Sequence, residues 1–481
     1  MAGRRHALLV VGGGVYGAAV AWDAAQRGLD VALVESRDFG GGTSWNSLKT
    51  IHGGLRHLQR GELGLLRESV RERRALLRIA PGLVRPLGFL VPTYGHGRRG
   101  REILAAGVLL NELLAAGRNR GLAPDRQLPG CRILDREQVL ERAPGVSTRG
   151  LSGGVLWYDA QVASSERLVL AFLEAASAAG ALLANHAEVT ALLRDGPKVT
   201  GAVVRDHASG GSCEVRAEVV VNAAGPDAER IWRFAGLRPT PDPLCLAVNL
   251  VLRRRLVSDL ALGALRRGRY LFLVPWRDRS IAGTAYGPAD EAPAALAASL
   301  MHELQAAYPW AAPTWEDVAV LHQGRVPGDP DRLRSGSRVV DHAREGAPGL
   351  ITLFGAKYTT ARAGAESAVD LAVRRLGRPA PPCRTHVTPL PGASIPRGPL
   401  SELARRAVRD EMALDLEDVV LRRLEAGSAG PLTPEELDAV GSAVAAERGW
   451  DGDQLDRART RLAGAWGPGW HPRSERAPDI E

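Results

Sequence analysis

Residues 47–58 read SLKTIHGGLRHL and set Lys49, His52, Arg56 and His57 around the pair Gly53-Gly54. Lysine and arginine recognise anions. Imidazole, with an ordinary pKa of about 6.5, can take or return a proton near neutrality. The segment therefore reads either as a solvated basic turn or as a socket for an anionic substrate. Lysine is scarce in this chain: only Lys49, Lys198 and Lys357 occur among 62 basic residues, the rest being arginine. Arginine serves at most surface positions, so the remaining lysines draw interest.

A socket needs elements to hold it, and the clearest lies just upstream. In HALLVVGGGVYGAAVAWDAAQRGLDVALVES an apolar strand, about 7–11, meets Gly12, Gly14 and Gly17 in G-x-G-x-x-G spacing. A helix with a small-residue face of Ala18, Ala19, Ala21, Ala24 and Ala25 follows, and Gly28 ends it. A second strand then closes on Glu35. Gly12 permits a tight turn, Gly14 lets backbone approach a pyrophosphate, and Gly17 lets helix and strand pack closely. The helix N-terminus offers N–H groups and about half a positive charge to phosphates. Glu35 suits ribose hydroxyls, and its charge argues against NADP. The unit alone leaves NAD and FAD open.

Two distant segments repeat the strand-into-glycine pattern. EVRAEVVVNAAGPDAERI runs a strand into Ala224 and Gly225. GLITLFGAKYTTARAGAESAVDLAVRRL runs one into Gly355, with a helix from about Thr359 carrying Ala361, Ala365, Ala368 and Ala372 at helical spacing. A nucleotide fold assembled from segments this far apart suits a flavoprotein better than a contiguous NAD domain. These pieces, with TSWNSLKTIHGGLRHL, YLFLVPWRDRSIAGTA, HQGRVP, SRVVDH and AVRDEMALDLEDVVLRRL, stand in an order that resembles the FAD-dependent glycerol-3-phosphate dehydrogenases. That family lies within the D-amino-acid-oxidase-like flavoproteins, and the resemblance covers most of residues 5–425.

The resemblance implies FAD as cofactor and oxidation of sn-glycerol 3-phosphate to dihydroxyacetone phosphate, by hydride transfer from C2 to flavin N5. Quinone or another acceptor would take the electrons. The alternative is a flavin-dependent oxidase of an amine or other hydroxy acid on the same fold. His52, Arg325 and Lys357 are the implied catalytic residues, and Arg56, His57, Asn249, Arg338 and Thr360 the substrate-binding ones. Beyond the glycines 12, 14 and 17 and Glu35, the expected FAD contacts are Thr43, Ser44, Lys49, His52, Gly53, Val189, Ala224, Gly225, Gly355, Lys357 and Thr359. Four departures from the family pattern fall near the expected pocket. GRVP carries Arg325 one place earlier than GLRP, His57 replaces a tyrosine, and Asn249 replaces a histidine. Thr284-Ala285 stands where an acid is common.

The expected architecture is α/β. A Rossmann-type FAD-binding domain (1–75, 152–240 and 335–380) supports an antiparallel-sheet substrate domain (76–151 and 241–334). A short C-terminal helical domain spans 388–465, and a disordered tail 466–481. Of 481 residues 45% are apolar and 24% charged, as in a soluble globular protein. The net charge of +8 is spread along the chain without a basic block, which argues against nucleic acid. Four dispersed cysteines form no CxxC pair, so neither a metal site nor a disulfide framework is expected, and a cytoplasmic setting fits. The leucine-rich segment 101–117 is expected to be buried in a domain or homodimer contact, with a peripheral membrane contact as the other reading.

Overall fold

The computed structural model describes residues 1–58, 60–95, 101–238, 243–334 and 336–466. Its N-terminal unit has the form that the glycine spacing dictates: strand Arg5–Val11, helix Val15–Gln26 and strand Val31–Val34. Around it a sheet assembles in the order 338–341, 350–354, 212–222, 5–11, 31–34, 182–184. Ser212–Asn222 and Leu350–Phe354 extend it in parallel, so the three strand-into-glycine segments end side by side. A hairpin, Ala187–Asp195 with Lys198–Asp206, continues antiparallel from Ser212–Asn222.

Helices Val15–Gln26, Ser165–Ala178 and Ala361–Leu376 pack on this sheet. Alanine allows the close approach. Ala18, Ala21 and Ala24 are fully buried, as are Ala365, Ala368 and Ala372. Trp22 and Phe172 fill the seam between two of the helices, with ring centroids 5.4 Å apart.

The second sheet runs 332–333, 318–329, 244–252, 279–288, 269–276, 260–266, 84–94, 151–162, 50–51, with 132–134 added on 151–162. It is antiparallel except where Leu260–Arg266 meets Val84–Tyr94 in parallel. One boundary needs correction. Leu151–Val162 and Thr50–Ile51, expected with the FAD-binding segments, belong to this sheet. The reason is a long-range pairing: Leu151–Val162 lies antiparallel along the whole of Val84–Tyr94.

The C-terminal helices Leu400–Asp410, Pro434–Arg448 and Gly452–Ala465 share a small core with Leu416, Val419 and Val420. They are anchored by buried charge. Asp38 receives Arg423 through two bonds of 2.6 and 2.8 Å, and also Arg422. Asn185 donates to the same carboxylate at 2.9 Å. Burial alone would raise the Asp38 pKa, but the guanidiniums of Arg423 and Arg422 outweigh it and hold the carboxyl well below its usual range. Residues 467–481 of the expected tail lie outside the described residues.

Helix Arg101–Leu114 turns Ala105 and Val108 inward, as burial predicts. Its other face is not buried: Ile103, Leu109 and Leu110 are about half exposed and Leu113 is 75% exposed. Among the described residues no helix is long and apolar enough to cross a membrane.

Candidate active site

A cavity of about 1660 Å³ is lined by residues of both sheets. On the nucleotide side its wall includes Gly12, Gly14, Glu35, Val189, Ala224, Gly225 and Gly355. The backbone there is too close for side chains. A Cβ on Gly12, whose φ is +104°, would stand 2.6 Å from the Ala223 carbonyl oxygen. One on Gly17 would stand 1.8 Å from the Gly12 carbonyl oxygen. Gly17 is off the wall, directly behind the turn, where it lets helix and strand approach. Glu35 accepts from the N–H groups of Gly13 and Arg37 at 2.7 and 2.9 Å, which fixes the carboxylate at the rim of the turn. Ser44 Oγ accepts from the Val15 N–H at 3.0 Å, and Thr43 Oγ1 donates to the Arg325 carbonyl at 2.9 Å. Both therefore tie the loop after Glu35 to the walls.

The same cavity takes in the candidates for substrate chemistry. Lys357 Nζ contacts His57 Nε2, and His57 Nδ1 lies 2.6 Å from Glu62. His52 is half exposed on the wall, its Nδ1 3.5 Å from Asp159. Its backbone N–H donates to Thr359 Oγ1 at 3.2 Å. Asp159 also accepts from Gly53 N–H at 2.7 Å and from Arg73. Burial raises the Asp159 pKa, yet Arg73 and His52 bring it down to about 2. Asn249 Oδ1 accepts from Thr284 Oγ1 at 2.7 Å. Arg325 is exposed on the wall, with its Nε donating to the Ala289 carbonyl at 3.1 Å.

Besides Gly17, four described residues of the expected site do not line the cavity. Lys49 is buried and turned away: its φ is +59°, and its Nζ donates to Trp45 O, Ser165 Oγ and Glu166 at 2.7–2.9 Å. A buried ammonium needs such partners, and the cluster satisfies it away from any ligand. Gly53 gives its N–H to Asp159, and a Cβ there would overlap Arg73, so the glycine makes room for that ion pair. Arg338 is exposed on an outer strand, paired with Phe354. Thr360 is buried beneath the wall, where it begins helix Ala361–Leu376. Arg56 falls in the short helix Leu55–Leu58, but its side chain lies outside the described residues.

Asp159 and Trp157 are among the wall residues that were not expected. Asp159 carries a signal in retrospect: a lone acid inside an apolar strand must find a cation when buried. Trp157 carries none. It is 6% exposed, and its indole N–H has no hydrogen-bond partner among the described residues. A buried unpaired donor on a cavity wall fits a ligand acceptor. The glycine turns fit a pyrophosphate, the apolar wall of Trp157 and Phe272 fits an aromatic ring, and the cavity is large enough for a dinucleotide with a small substrate.

A glycine-turned parallel sheet that shares such a cavity with a second sheet defines a dinucleotide-dependent oxidoreductase. The chain belongs to the DAO family of FAD dependent oxidoreductases, whose model matches residues 7–371. Its relatives include glycerol-3-phosphate dehydrogenases. That of Synechocystis sp. is 33% identical over 418 residues, which cover 80% of this chain and 73% of the relative. That of Mycobacterium leprae is 36% identical over 378 residues, 76% of this chain and 63% of the relative. The fold resembles the glycerol-3-phosphate dehydrogenase from Bacillus halodurans complexed with FAD, with a TM-score of 0.77 and 22% identity, covering 99% of this chain and 97% of that one.

Proposed function

We propose that the chain oxidises sn-glycerol 3-phosphate at C2 to dihydroxyacetone phosphate. The observation that carries this reading is that Arg325, Lys357, His57 and His52 line one cavity together with the nucleotide turn. FAD would be held by Gly12, Gly14, Glu35, Ser44, Val189, Ala224, Gly355 and Thr359, and supplies a hydride acceptor when bound. Arg325 binds the phosphate, because a planar guanidinium donates bidentately to such oxygens. Lys357 places its amine where the substrate hydroxyl becomes a carbonyl. Asn249 positions by hydrogen bonding; an amide takes no proton, so the base lies elsewhere on the wall.

Anaerobic mixing tests the reading. Glycerol 3-phosphate is expected to bleach the flavin, and glycerol and amino acids are not. Bleaching by an amine alone would transfer the protein to the oxidase alternative. Arg325→Ala should keep its FAD and lose about 10–100-fold in substrate affinity, since a hydrogen bond to a charged group contributes roughly 1.5–3 kcal/mol. Unchanged half-saturation in the variant would remove Arg325 from the site.

Electron transfer to a quinone would bring the protein to a lipid surface. Leu104 of helix Arg101–Leu114 lines the cavity, while Ile103, Leu109, Leu110 and Leu113 face outward. That face is proposed to lie in a membrane interface. Leu109→Glu with Leu113→Glu should lower vesicle co-sedimentation on the order of 100-fold, from the apolar area withdrawn. Equal sedimentation of variant and parent, or a dimer that dissociates in the variant, would assign the face to something else.

A further inference from the structure

Lys357 lines the cavity from the turn after Leu350–Phe354, and behind it stands a histidine that phosphate binding does not use. Lys357 Nζ meets His57 Nε2 across 300 residues of sequence. His57 Nδ1 in turn meets Glu62 Oε2 at 2.6 Å. The ring is 2% exposed and Glu62 is 27% exposed, so the three groups form a file from cavity to solvent. A carboxylate on Nδ1 keeps a proton there and leaves the Nε2 lone pair facing the ammonium. Burial holds the imidazole below its ordinary pKa; Glu62 opposes this, while Lys357 and Arg60 add to it. Glu68, from helix Leu63–Ile79, is a further charge acting near Lys357.

We propose that His57 and Glu62 are positioning residues that make Lys357 the base of the oxidation. Lys357 passes a proton to His57 Nε2, and the neutral amine takes the proton of the substrate hydroxyl. This rests on the functional reading above. The balance is complete. One N–H bond of Lys357 breaks as one forms on His57, and the substrate O–H bond breaks as an N–H bond re-forms on Lys357. The C2–H electron pair leaves with its hydrogen to the flavin. The imidazolium, stabilised by Glu62 on Nδ1, then gives its Nε2 proton to water once product has left the cavity, which restores the starting pair.

The competent state lacks one proton relative to the doubly protonated Lys357–His57 pair, so acid abolishes it. In the parent its acid limit is the His57 titration, below about 6.5. Without His57 the lysine must release its proton to water, and the limit moves toward the ordinary lysine value of about 10.4.

Stopped-flow reduction by glycerol 3-phosphate, from about pH 5.5 to about 9.5, reads this shift. His57→Gln should raise the acid limb by about two pH units or more and slow reduction about 100-fold at neutral pH. Glu62→Gln, near the surface, should slow it about tenfold, and because Glu62 raises the His57 pKa its loss should move the acid limb downward. A second readout needs no turnover: the ¹⁵N-histidine resonance that moves in Glu62→Gln should show an unprotonated Nε2 at neutral pH. An unshifted limb in both variants overturns the proposal. So does a limb that disappears only in His52→Asn, or a His57 resonance protonated on Nε2. If glycerol 3-phosphate fails to reduce the parent, the functional reading fails, and the histidine resonance still decides the relay. If His57→Gln does not fold, Glu62→Gln and the resonance decide it.

Discussion

Gly17→Val is expected to yield a colourless protein. The new Cβ would stand 1.8 Å from the Gly12 carbonyl oxygen, and the remaining methyls have nowhere else to go. Neither partner can yield. Gly12 N–H donates to Val34 O at 2.8 Å, which fixes the turn to the neighbouring strand, and Gly17 sits in the first turns of a fully packed helix. Overpacking of a core typically costs about 1–3 kcal/mol. Here the strain is relieved only by moving the helix N-terminus away from the turn that holds pyrophosphate. A loss of about 3 kcal/mol would weaken FAD binding on the order of 100-fold. The ratio of flavin to protein absorbance after purification measures it. Gly14→Ala is the graded control, because its Cβ would meet only the Ser44 hydroxyl, at 3.1 Å, and that can rotate. A Gly17→Val protein with full FAD content would refute the assignment of this turn to the cofactor.

Asp38→Asn is expected to release the C-terminal helices. The carboxylate is fully buried between Arg422 and Arg423, and removing one member of a buried ion pair costs about 3–5 kcal/mol because charge is left unpaired. Here Arg423 would keep the Glu411 carbonyl as its partner, while Arg422 would keep the Asp418 carboxylate at 2.8 Å. Denaturant titration should show a new, earlier transition, and limited proteolysis should cut first within residues 400–465. Coincident unfolding at the parent's midpoint would contradict the anchoring role. The pH dependence follows the same logic. The folded pKa of Asp38 is depressed below its unfolded value of about 3.9. Its contribution is therefore complete above that value and is lost as pH falls through the acid range below it. The parent should keep its C-terminal helices docked at pH 5 and lose them only in stronger acid.

The nucleotide turn was legible because its spacing states a backbone requirement. Gly12, Gly14 and Gly17 are needed whatever surrounds them, and the strand-into-glycine segments at 217–225 and 350–355 carry the same demand. The alanine faces were legible for a related reason: they announce close packing at helical period. Lys49 was not. Its charge promises an anion, but a left-handed backbone turns the side chain inward to Glu166, and no spacing rule shows that. Asp159 and Arg73 lie far apart in the chain, so their pairing exists only once Leu151–Val162 joins the second sheet. Arg338 shares its residue type with Arg325 but stands on an outer strand. Type and motif marked both; only the fold separates them.

The strand order carries a consequence for biosynthesis. Leu350–Phe354 pairs beside Ser212–Asn222, which pairs beside Arg5–Val11, so the first and last parts of the cofactor wall flank one strand from the middle of the chain. At roughly 5–20 residues per second, a ribosome needs about 20–70 s to deliver the last of these strands. Until then the glycine turn made at the outset lacks part of its own wall, and the edge of Ser212–Asn222 that the last strand covers remains open. FAD would therefore load only after residue 355 has been made, and nascent chains stalled before it are the ones most exposed to aggregation.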